Sequence, residues 1–134
     1  MTDDTLKKCS IEAFERGDID VEHFNHEAHV YMGWLYLEEF DATEAIARIS
    51  AALKRITLQL GVPDKYHATI TWFFMFVIAE RRAFAVSQDW NSFRRDNGDL
   101  FSRDNNVLNR YYNKQTLASS AARERFVLPD RLVA

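Results

Sequence analysis

From Ala68 to Ala79 the chain is apolar at every position except two threonines. A helix that is apolar on all sides has to be surrounded by other elements. The pattern predicts a central buried helix opening at Asp64 or Lys65 and running to about Val86. Arg81 and Arg82 then stand at the negative end of its dipole. The preceding segment is patterned differently. Ala45, Ile46, Ile49, Ala52, Leu53, Ile56 and Leu60 recur at spacings of three and four, the stripe of a one-sided helix. Asp41 caps that helix with Glu44 three residues on, Gly61 follows as a C′ residue, and Pro63 enforces the stop. Further upstream, Asn25 caps a helix that runs to about Glu39. Its apolar face is wide: Val30, Tyr31, Trp34, Leu35, Leu37 and Phe40. A first helix is read over residues 3–16, capped by Thr2, Asp3 or Asp4 and ended by Gly17.

Beyond residue 88 the pattern breaks into short pieces. Asp89 caps a helix over Trp90–Arg95, and Asn97-Gly98 interrupts it. Residues 104–113 read as another short helix. Thr116 caps a last one reaching Arg125. Residues 126–131 form an extended tail, because Pro129 disfavours helix at Leu128. The asparagine-rich stretch 96–109 is expected to hold mobile loops. Together the elements predict an all-α fold in one domain, residues 1–134: an antiparallel bundle of three to four helices, with short C-terminal helices and the tail wrapped around it.

Topology gives the histidines their interest. Short links make the second, third and fourth helices antiparallel neighbours, so the second and fourth start at the same end of the bundle. His26 and His29 stand in the first turns of one, and His67 in the first turn of the other. His26 and His29 are three residues apart and share a face, and Gly33 leaves space beside His29. Three neutral imidazoles with an open position suit a transition metal, Zn, Fe or Cu. The same end suits a small polar ligand, with Trp34, Tyr66 and Thr71 lining the pocket. His-x-x-His alone is a weak signal, and solvated first-turn histidines, with His67 capping or packing, account for it equally well. No catalytic residue is assigned. If a reaction occurs there, a histidine serves as general base or holds a metal-bound water. Glu80 lies thirteen residues beyond His67, about 20 Å along a helix, and is read as a structural ion pair with Arg48, Arg81 or Arg110. Cys9 reads as a buried structural thiol.

Composition narrows the classes. The 134 residues include ten Phe, five Tyr and three Trp, but only four Gly and two Pro, which favours helix. A net charge of −3 gives no basic surface for nucleic acid. Residues 1–80 hold 14 acids and 7 bases, and residues 81–134 hold 6 acids and 10 bases, as expected if the two parts pack on each other. One cysteine, no signal-like N-terminus and an apolar run too short for a bilayer predict a cytoplasmic protein that does not enter membranes.

The segments Phe24-Asn-His26-Glu-Ala-His29-Val30, Trp34-Leu35-Tyr36-Leu37, Tyr66-His67-Ala-Thr69-Ile-Thr71, Leu108-Asn-Arg110-Tyr111-Tyr112 and Phe126-Val-Leu-Pro129-Asp130-Arg131 resemble a group of small bacterial all-helical proteins. The resemblance covers most of the chain and implies the same small fold. It implies no particular activity. The group commonly has Glu at the position after His67, where this chain has Ala68, so a site that used that glutamate would be altered here. Two functions remain open. One is a histidine-lined metal or ligand pocket. The other is a non-catalytic interaction protein that forms a homodimer or binds a partner through its Arg- and aromatic-rich C-terminal part.

Overall fold

Each main helix begins where a side chain can accept an orphan backbone N–H. The computed structural model describes residues 10–20, 22, 24–86, 89–104 and 106–131. Helix α1 spans Ile11–Glu15, α2 His26–Glu39, α3 Ala42–Gln59 and α4 Ala68–Ala83. Short helices α5 (Trp90–Asp96), α6 (Leu108–Tyr111), α7 (Lys114–Leu117) and α8 (Ser120–Glu124) follow. Among the described residues there is no strand, and the all-α bundle is as expected.

Asn25 and Asp41 cap α2 and α3, each side chain accepting from the N–H three residues on. Gly17 and Gly61 take positive φ at 77° and 74°, the left-handed conformation that ends α1 and α3. Two starts differ from expectation. Ser10 caps α1 through its Oγ, so a helix begins at Ile11; the caps proposed at Thr2, Asp3 and Asp4, and Cys9, lie outside the described residues. The central helix opens at Ala68 rather than at Asp64 or Lys65. Pro63–Lys65 form a separate 3₁₀ turn, and His67 is the cap. The central helix also stops at Ala83, short of Val86. At the C-terminus the single helix expected from Thr116 is two helices. Ser119 caps α8, while the Thr116 hydroxyl bonds Asp130 instead.

Helices α2, α3 and α4 pack pairwise and bury two apolar clusters. Met32 and Tyr36 of α2 face α1 and α3, while Val30 and Trp34 face α4 and α5, so α2 is buried on two sides. Gly33 lies where α2 crosses α4. A Cβ there would come within 2.9 Å of Met75 Sδ and 3.2 Å of Ile78 Cδ1. At Gly33 itself α4 therefore occupies the space that a side chain would need. Helix α1 docks through Glu15, which accepts from Arg48 at 3.0 Å and from the buried Tyr36 hydroxyl at 3.1 Å.

The C-terminal part is fastened by polar anchors. Thr69, fully buried, donates to the Arg125 carbonyl at 2.9 Å and accepts from Val127 N–H at 3.1 Å. The Tyr112 hydroxyl donates to the Val127 carbonyl at 2.7 Å. Phe126 stacks on Trp72, with centroids 5.8 Å apart. Leu128 of the tail is 74% exposed. Phe76 is also half-exposed, so α4 is not enclosed on every side.

Within 96–104 and 106–109 the asparagines Asn97 and Asn106 are tied by side-chain hydrogen bonds. Asn97 is buried between the Phe93 carbonyl and Arg81, and Asn106 donates to the Ser102 carbonyl and accepts from Leu108 N–H. Asparagine here replaces missing backbone partners. Asp99 binds both Arg81 and Arg110, and these two guanidinium groups hold its carboxyl below the usual carboxylate range. The arginines offered to Glu80 are thus used elsewhere, Arg48 by Glu15, and Glu80 is exposed. Glu27 pairs with Arg94 at 2.7 Å, so the acidic first part and the basic second part do meet.

Candidate functional site

Helix α3 contains no aromatic residue. Against α4 it presents Ile49, Leu53 and Ile56, and opposite them stand Phe74, Met75 and Ile78. The aliphatic side chains of α3 do not fill the gap between the helices. A cavity of about 760 Å³ remains, within the range of small-molecule pockets. It lies where α2 and α4 begin and α3 ends, which is the end that topology selects for the histidines.

His26, His29 and His67 all line this cavity, as do Tyr66 and Thr71. Their ring nitrogens have different employment. His67 Nδ1 accepts from Ile70 N–H at 3.1 Å, capping α4, and its Nε2–H donates to the Leu117 carbonyl at 2.7 Å. A carbonyl can only accept, so these two bonds fix the Nε2–H tautomer and use both nitrogens. His26 donates Nε2–H to the Leu100 carbonyl at 2.7 Å, and its ring stands edge-on to Phe74. His29 makes a ring contact with Phe24, centroids 4.4 Å apart, and no hydrogen bond of its ring is found among the described residues.

His29 is accessible by area because its ring borders the cavity. The protein packed around that cavity still disfavours the charged ring and pushes its pKa down to about 4, with the neighbouring His26 as a smaller cause. At neutral pH His29 is therefore an uncharged imidazole facing open volume.

The three histidines share a cavity without forming a metal-ligating group. Among the described residues, no three His, Cys, Asp or Glu side chains are placed to hold one ion. The commitment of both His67 nitrogens to backbone partners explains its part in this. His23 lies outside the described residues.

Trp34 does not line the cavity. It is five residues from His29, about 140° around the helix, and so faces away. There it stacks on Tyr31 and receives Arg82 over its ring, 4.8 Å from the centroid. Thr71 does line the cavity but donates its hydroxyl proton back to the His67 carbonyl at 2.8 Å. The apolar walls were missed by sequence reasoning because Ile49, Leu53 and Ile56 are indistinguishable from core residues in the stripe. Lys65 and Thr57 at the α3 end carried no signal at all.

Among the described residues no helix is long and apolar enough to cross a membrane. No protein-family model, curated protein or solved structure matches the chain, so the reading of its function rests on this geometry.

Proposed function

We propose that the chain binds a small, largely apolar molecule in the cavity shared by α2, α3 and α4. The observation that carries this is an unfilled volume of about 760 Å³ inside a bundle whose other flank is densely packed with rings. Apolar walls favour an apolar body, and a few polar groups at one end orient it. The ligand form of the histidine pocket is favoured over the metal form, because His67 spends both nitrogens on backbone groups. His67, Tyr66 and Thr71 then shape the mouth, and His29 is the polar group inside.

N-phenyl-1-naphthylamine, an uncharged fluorophore, provides the test. Saturable one-to-one binding is expected, and Leu53→Trp, which puts an indole into the cavity, should abolish it while the helical circular dichroism is retained. Failure of the unaltered protein to bind, or equal binding by the folded variant, would reject the proposal.

A second reading draws on the exposure of Leu128 and of Phe76, whose ring meets Phe126 of the tail, at 74% and 46%. A partner or second copy would cover the surface next to the C-terminal tail. Sedimentation of the protein and of Leu128→Glu distinguishes the cases, since a dimer formed there should dissociate in the variant.

A further inference from the structure

The cavity has a polar end and an apolar end. His26, His67 and Thr71 belong to the first turns of α2 and α4, with Lys65 just before α4. Ile49 and Ile78 lie deeper, eleven residues from Leu60 and His67 respectively, or about 16 Å along each helix. His29 stands one turn inside the mouth on α2. Among the cavity's polar side chains, His67 and Thr71 have their protons committed to backbone carbonyls, and His26 has its Nε2–H committed likewise. His29 is the histidine whose ring nitrogens have no hydrogen bond among the described residues.

The chemistry of that ring selects its guest. An uncharged imidazole offers one N–H donor and one lone pair, and with no hydrogen bond to either nitrogen among the described residues both tautomers serve. A hydroxyl can donate to one tautomer or accept from the other. A carboxylate placed there would bring a charge beside a neutral ring and aliphatic walls, and burying an uncompensated charge is costly. The cation lining the cavity, Lys65, is exposed at its outer end.

Building on the cavity reading above, we propose that the ligand carries an uncharged hydroxyl, alcoholic or phenolic, seated against the His29 imidazole, with its apolar body directed along α3 and α4 toward Ile49 and Ile78. The depressed basicity of His29 agrees with this, since the ring stays neutral across the physiological range.

The test uses three probes with the same apolar body, 1-naphthol, naphthalene and 1-naphthoate, each displacing N-phenyl-1-naphthylamine. The quantity read is the ratio of naphthol to naphthalene affinity, which removes their difference in hydrophobicity. One hydrogen bond corresponds to about a tenfold change in this ratio between the unaltered protein and His29→Leu. His29→Gln should recover part of the loss. In the unaltered protein labelled with ¹⁵N-histidine, saturating naphthol should move the His29 ring resonances and naphthalene should leave them in place. An unchanged ratio in His29→Leu, a preference for naphthoate, or ring resonances indifferent to naphthol would each overturn the hydroxyl assignment. Should none of the probes bind, the cavity reading itself falls.

Discussion

The two flanks of α4 are built from different side chains, and only one is filled. Toward α6 it meets rings, Phe73 lying against Tyr111 and Tyr112, and the ring cluster continues beyond it with Trp90 against Phe93, Phe101 and Trp34. The polar groups of that flank are anchored, through Thr69, Tyr112, Asn97 and Asp99. Toward α3 it meets isoleucine and leucine, and about 760 Å³ stays open. Rings of 150–250 Å² fill irregular gaps that aliphatic chains on a straight helix leave. The filled flank holds the fold together, and the unfilled flank has room to bind.

The largest expected effect tests this contrast by truncation. Phe93→Ala on the ring side should cost about 3–5 kcal/mol, because close-packed neighbours cannot collapse into the void. Ile56→Ala, bordering an existing cavity, should cost about 2 kcal/mol or less, since part of its surroundings is already unpacked. Urea unfolding of both variants measures the difference, and equal costs would remove the distinction between the flanks.

An intermediate effect separates the two classes of histidine. His67→Leu removes the cap of α4 and leaves the Leu117 carbonyl unpaired, so a loss of about 2 kcal/mol is expected. His67→Asn should restore the cap and about half the loss. His29→Leu should leave stability at pH 7 unchanged or raised, because it replaces a polar ring in an apolar wall. Chemical denaturation of the three variants at pH 7 decides whether His67 is structural and His29 is not.

The smallest effect is a pH dependence. The folded-state pKa of His29, about 4, lies below the 6.5 of an unperturbed imidazole. Between these values the unfolded chain binds more protons than the folded one. Stability that is full above pH 6.5 is therefore lost as pH falls toward 4. Because the ring borders open volume, screening reduces this to about 1 kcal/mol. The readout is the stability difference between pH 7 and pH 4.5 in the unaltered protein minus that in His29→Leu. A zero difference would mean that the cavity does not disfavour the charged ring.

Sequence by itself determined the bundle. Capping residues Asn25, Asp41 and Asp89, the positive-φ glycines Gly17 and Gly61, and the stripe of α3 are local signals, decided by neighbours within a turn or two. Topology followed from link lengths, and with it the end at which His26, His29 and His67 gather. Tertiary structure alone decided what each histidine does there. The carbonyls of Leu100 and Leu117 stand 74 and 50 residues from the rings they hold, and no pattern along the chain relates them. The cavity is likewise invisible in one dimension. Ile49, Leu53 and Ile56 would spell the same stripe whether α4 filled the gap or left it, because unfilled volume depends on the shapes of two surfaces meeting and not on the hydrophobicity of either.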